Sequence, residues 1–131
     1  MAVRTKRLLD FGPNVPVAVS QEAKDFLSEL PRPAVRALLR ALEDWAKAHT
    51  VSAARIFLYT DMEDEDWTEA VIELFVDTDD DDEGFVLTEQ LAAATAKVKH
   101  TMSSSDRAAI NHNVGIHLEW GIDWDDESSA V

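Results

Sequence analysis

Apolar residues recur at helical spacing in the first third of the chain. One predicted helix face follows Ser20, a typical N-cap residue, and consists of Ala23, Phe26, Leu27 and Leu30. A second face with the same spacing consists of Val35, Leu38, Leu39, Leu42, Trp45 and Ala46. Prolines at 31 and 33 end the first helix and suit the start of the second. The pattern therefore predicts a helical pair that ends near His49.

The spacing changes to that of strands in the middle of the chain. Residues 55–60 are aromatic and β-branched, which is typical of a strand. Residues 67–77 fit a helix face and a strand face equally well. We favour a strand, because the segment is rich in Val, Ile and Phe and follows residues 55–60 after a turn-length polar loop. Apolar and polar residues also alternate over 114–120, which predicts a third strand.

An alanine-rich helix is predicted over 88–101, with Thr88 as its cap, and a short helical turn over 103–110. The predicted order is a helical pair followed by β-β-α-β, which is an α+β fold. A right-handed final crossover places the third strand beside the first, giving a three-stranded mixed sheet of order 2-1-3. We therefore expect one α+β domain over 20–122, an N-terminal arm over 1–19 and an acidic C-terminal tail over 123–131.

Acidic residues are concentrated in the middle of the chain. Thirteen of the 26 carboxylates, and no Lys or Arg, lie between Asp61 and Glu83. They form two clusters, over 61–66 and 77–83, and an extended segment between these places them at remote ends of one strand. The net charge of −14 disfavours binding to nucleic acid and to anionic membranes. No apolar run reaches the ~20 residues of a membrane span, and there is no cysteine, so we expect a soluble cytoplasmic protein.

The second acidic cluster resembles an EF-hand calcium loop over Asp79–Gln90. Carboxylates alternate there and Gly84 stands where such a loop bends sharply, as calcium coordination requires. The resemblance covers about 12 residues and departs at the last ligand position, where Gln90 replaces the bidentate glutamate. The residues that it implies as ligands are Asp79, Asp81, Glu83 and Glu89. The alternative is a solvated acidic segment near a helix N-terminus, where the helix dipole favours negative charge.

One face of the predicted sheet is too apolar for open water. The candidate interface residues on it are Phe57, Tyr59, Val71, Phe75 and His117, with Trp120 at the end of an edge strand. Two arrangements account for such a face. In the first, the helical pair covers one face of the sheet and the 88–101 helix covers the other. In the second, another protein or a second copy of the chain covers the apolar face.

The chain has no recognisable catalytic constellation, so we expect a non-enzymatic protein. Its histidines lack metal-ligand spacing, and its serines lack the setting of a nucleophile. The function that charge favours is a small protein-interaction module of prokaryotic type, such as an antitoxin-like or immunity-like inhibitor of a basic partner. Two alternatives remain: a calcium-binding module at Asp79–Gln90, and an acidic globular protein with no specific partner.

Overall fold

The computed structural model describes residues 8–63 and 67–121. In chain order the elements are β1 (Val17–Val19), α1 (Gln21–Ser28), α2 (Arg32–Ala48), β2 (Val51–Thr60), β3 (Thr68–Val76), α3 (Asp81–Lys99), α4 (Ser104–Asn113) and β4 (Val114–Glu119). The described residues therefore form an α+β fold with four helices and a mixed four-stranded sheet, and the predicted fold class is confirmed.

The strand order differs from the predicted one. The sheet runs β1-β2-β3-β4, with β2 and β3 antiparallel and both edge strands parallel to their neighbours. The prediction of three strands in the order 2-1-3 is wrong, because β1 was assigned to the N-terminal arm. In the fold, Val17 pairs with Ala54 and thereby occupies the edge of β2 that the prediction left for the last strand. The last strand, β4, pairs with β3 instead.

All four helices pack on one face of the sheet, which we call the inner face. The strand side chains that form it share one core with buried residues of every helix: Ala54, Ile56, Ala70, Ile72, Leu74, Val114 and Leu118 from strands, and Leu27, Leu38, Leu42, Leu91 and Ile110 from helices. Helix α3 lies beside α2 and not across the sheet from it. Of the two arrangements that the sequence left open, the one with helices on both faces of the sheet is therefore wrong.

Side-chain caps set the starts of three helices. The hydroxyl of Ser20 accepts a hydrogen bond from the amide of Ala23, as predicted for α1, and Ser103 caps α4 in the same way. Helix α3 begins seven residues earlier than predicted, because Asp80, and not Thr88, is its N-cap. Three further acids in its first turn interact favourably with the helix dipole. The second acidic cluster is thus half helix, and the prediction of a loop through Gly84 is wrong.

The segment between the two acidic clusters is extended, as predicted. Strand β3 has nine residues, which corresponds to about 30 Å at ~3.3 Å per residue. The acids Asp61 and Glu63 therefore lie at one end of the sheet, and the second cluster at the other. Residues 64–66 of the first cluster and the tail over 123–131 lie outside the described residues. In the ranges 8–63 and 67–121, no helix has the length and apolar character that crossing a membrane requires.

Candidate functional site

None of the described helices packs on the second face of the sheet, which we call the outer face. Its side chains alternate with those of the inner face, and the register places Arg55, Glu73 and His117 in one row across β2, β3 and β4. Further members of the outer face are Phe57, Tyr59, Glu69, Val71, Phe75 and Glu119. Five of the six candidate interface residues belong to this face.

An arginine lies over the aromatic centre of the outer face. The guanidinium carbon of Arg55 is 4.9 Å from the centroid of the Phe57 ring and 5.8 Å from that of Phe75. Glu73 fixes it there, since Nε and Nη2 of Arg55 donate to the two carboxylate oxygens over 2.9 and 3.2 Å. A bidentate ion pair above aromatic rings combines charge and cation–π attraction. Arg55 of the chain itself therefore covers part of this apolar face.

The exposed apolar side chains of the sheet lie at the β2–β3 hairpin end. Met62 is 94% exposed, Tyr59 45% and Trp67 44%. The backbone still pairs here, since the amide of Asp61 donates to the carbonyl of Trp67 over 3.0 Å. The carboxylates of Asp61, Glu63 and Glu69 belong to the same few residues of chain. We define the hairpin-end surface as Tyr59, Asp61, Met62, Glu63, Trp67 and Glu69.

Glu69 inclines across the sheet toward β4. A Cβ atom placed on Gly115 would be 3.2 Å from Oε1 of Glu69 and 3.4 Å from Oε2, so this carboxylate lies directly above the glycine. Glu69 has no hydrogen-bond or ion-pair partner among the residues that the structure describes. Because Gly115 has no side chain, the Glu69 carboxylate can occupy this position on the outer face.

The candidate interface residues differ in their accessibility. Val71 and Phe75 are buried, Phe57 is half-buried, and Tyr59 and His117 are exposed. Trp120 lies elsewhere, because its indole packs on Gly84 and its Nε1 donates to Asp81 over 2.9 Å. Participation of these residues in an interface stays a prediction, and of the two exposed ones only Tyr59 lies at the hairpin end, since His117 pairs with Glu73 in the middle of β3.

The four candidate calcium ligands are not brought together. Asp81, Glu83 and Glu89 lie on helix α3, and only Asp79 precedes it. Asp81 accepts from Trp120, and Glu83 accepts from the hydroxyl of Thr78 over 3.0 Å. Within the described ranges, no group of three or more acids or histidines has the geometry of a metal site. The loop on which the calcium prediction depends is replaced by a helix, and calcium binding itself stays untested.

Two features of the hairpin-end surface escaped the sequence analysis. Trp67 and Met62 were not among the candidate interface residues, although they flank the acidic cluster. Trp67 lies one residue before β3 and has the same parity as Glu69 and Val71, so continuing the alternation of the strand would have marked it as a candidate. The signal for Met62 was weaker, since an apolar residue in a turn has no periodic partner.

No family model, no curated protein and no solved structure matches the chain.

Proposed function

We propose that this protein is a small non-enzymatic interaction module that binds a basic protein partner through its hairpin-end surface. One observation carries the proposal: exposed Tyr59, Met62 and Trp67 share the β2–β3 hairpin end with the acids Asp61, Glu63 and Glu69. Exposed aromatic and methionine side chains provide the apolar anchors of protein interfaces. Adjacent carboxylates favour a partner of opposite charge.

The charge of the whole chain supports the same kind of partner. At −14, the protein attracts cationic proteins over distances up to a Debye length of about 8 Å and repels nucleic acid. This attraction raises the rate of encounter more than the final affinity. The apolar side chains at the hairpin end then supply the contacts that hold the complex after encounter.

The more specific form of the proposal is an antitoxin-like or immunity-like inhibitor in a prokaryotic cytoplasm. A partner that acts on nucleic acid needs a cationic surface, and an acidic protein can cover that surface. The absence of cysteine from the sequence is compatible with a reducing compartment. Self-association through the outer face is the competing form, and the charge of −14 on each copy opposes it.

Affinity capture from extract of the source organism tests the proposal. We expect wild-type protein at low salt to retain a protein of high isoelectric point, and the double variant Trp67→Ala/Met62→Ala to lose it. The control Phe85→Ala/Val86→Ala removes two other exposed apolar side chains, from helix α3 at the opposite end of the sheet. Retention of the same partner by both variants would overturn the assignment of the surface. Capture of no partner at low salt would favour an acidic protein without a specific partner.

A further inference from the structure

The outer face already shows how this sheet holds a guanidinium group. Arg55 is bound by a carboxylate from the neighbouring strand, Glu73, and by aromatic rings beneath it. The ligand in that arrangement is a side chain of the same chain. A second set of the same residue types without a cation would be complementary to an arginine from outside.

Such a set lies four residues farther along the hairpin. Tyr59 pairs with Glu69 across β2 and β3, just as Arg55 pairs with Glu73. Trp67 stands one residue before β3, where continued alternation puts it on the same side as Glu69, and the rings of Tyr59 and Trp67 are 45% and 44% exposed. Glu69 has no cationic partner among the described residues. Gly115 leaves the space above β4 that this carboxylate occupies.

We propose that Tyr59, Trp67 and Glu69 form an acceptor for an arginine side chain of the protein partner. The inference rests on the proposed function and specifies its chemistry. The guanidinium plane stacks on an aromatic ring while its N–H groups donate to the Glu69 carboxylate, as Arg55 does with Phe57 and Glu73 four residues away. Arginine fits better than lysine, because its planar fork stacks on rings and binds a carboxylate through two hydrogen bonds.

Titration with a small probe tests the acceptor without the partner. The probe is the blocked tripeptide Gly-Arg-Gly, and its matched control is the same peptide with citrulline, which has the shape of arginine but no charge. We expect the arginine peptide to shift the indole N–H signal of Trp67 and the amide signals of Tyr59 and Glu69 in a saturable manner. The citrulline peptide should bind at least about fivefold more weakly.

Two variants test whether binding of the arginine peptide depends on Glu69 itself or only on the net negative charge of the protein. Glu69→Gln should weaken arginine-peptide binding about fivefold, whereas Glu89→Gln, which removes one exposed carboxylate from α3, should leave it unchanged. Equal loss in both variants, or equal shifts with arginine and citrulline, would overturn the proposal. The spectrum of each variant without peptide shows directly that it is folded.

The outcomes also distinguish this inference from the proposed function. Partner capture that persists in Glu69→Gln and Trp67→Ala would overturn the arginine acceptor and leave the interaction module intact. Specific binding of the arginine peptide without any captured partner would support the acceptor and contradict the proposed function.

Discussion

At the scale of single residues, Gly84 shows how a sequence signal can point to the wrong chemistry. Its position in an acidic run resembles the bend of a calcium loop. In the structure it lies inside helix α3, where a Cβ atom would be 2.2 Å from Cε2 of Trp120. The residue is a glycine because an indole ring packs against the helix backbone at this point. The Trp120 ring also meets Phe85 edge to face, with centroids 5.3 Å apart.

Gly84→Ala should therefore destabilise the protein, although alanine is the better helix former. We expect the free energy of unfolding to fall by about 1–3 kcal/mol in urea denaturation, because the added methyl displaces the indole of Trp120. In a Trp120→Ala background the same change should be neutral or stabilising, by up to about 1 kcal/mol. Stabilisation by Gly84→Ala in the wild-type background would show that Trp120 does not pack on this helix.

Removal of the space above Gly115 should affect binding and not folding. Gly115→Val places a branched side chain where the Glu69 carboxylate lies, and valine suits a strand better than glycine does. We expect the thermal midpoint to stay the same or rise, and the affinity for the arginine tripeptide to fall about threefold. Unchanged peptide affinity in this variant would show that Glu69 does not contribute to the acceptor.

At the scale of elements, the start of α3 decides between a helix cap and a calcium loop. The side chain of Asp80 accepts from the amide of Asp82 over 3.0 Å, whereas Asp79 has no such role in the described structure. Asp80→Ala should lower the free energy of unfolding by about 1 kcal/mol, and Asp79→Ala, with the same loss of charge, by clearly less. Differential scanning calorimetry measures both. A calcium-dependent rise in Tm that Asp79→Ala abolishes would instead restore the calcium module.

Elements with a strong local signal, in periodicity or in composition, could be predicted from the sequence, and those set by distant contacts could not. The stripe from Val35 to Ala46 predicted α2, and the Val-, Ile- and Phe-rich segment predicted β3. Strand β1 has three residues and owes its existence to pairing with β2, so its local pattern carried no signal. The early start of α3 depended on Asp80 as a cap within a run of acids, where composition indicated a loop.

Some features of the candidate site could likewise be predicted from the sequence, and others could not. Alternation predicted which side chains share the outer face, because strand parity is a local property. It could not show that Arg55 lies over Phe57 and Phe75, or that Trp120 contacts α3, since both depend on which elements become neighbours. Alternation also could not show which residues of the outer face are accessible, since Val71 and Phe75 are buried and Tyr59 is exposed.

At the scale of the whole molecule, strand order determines which side chains are neighbours on the outer face. The chain has no native cysteine, so introduced pairs report directly on neighbours. Glu73→Cys/His117→Cys joins register partners on β3 and β4 and should form a disulfide under mild oxidation. The pair Arg55→Cys/His117→Cys lies in the same row, but its two residues are separated by two strand spacings, about 10 Å. This pair should therefore not form a disulfide. Both double variants lose the Arg55–Glu73 ion pair, so they are matched in that respect. A disulfide in the Arg55→Cys/His117→Cys variant and none in the Glu73→Cys/His117→Cys variant would support the order 2-1-3.

The distribution of charge and apolar surface gives the molecule two unlike ends. The second acidic cluster caps α3 and holds Trp120, and three of its carboxylates, those of Asp80, Asp81 and Glu83, accept hydrogen bonds within the fold. At the hairpin end, acids adjoin exposed Tyr59, Met62 and Trp67. A basic partner is therefore expected to bind at the hairpin end, about 30 Å from the other cluster.

Site-specific photo-crosslinking tests this central claim most directly. A benzophenone amino acid replaces Tyr59 in one variant and Phe85, an exposed aromatic residue at the opposite end, in the other. Irradiation in native extract at low salt should give an adduct with a basic protein from position 59 and none from position 85, and high salt should abolish it. Equal adducts from both positions, or none from position 59, would contradict the account.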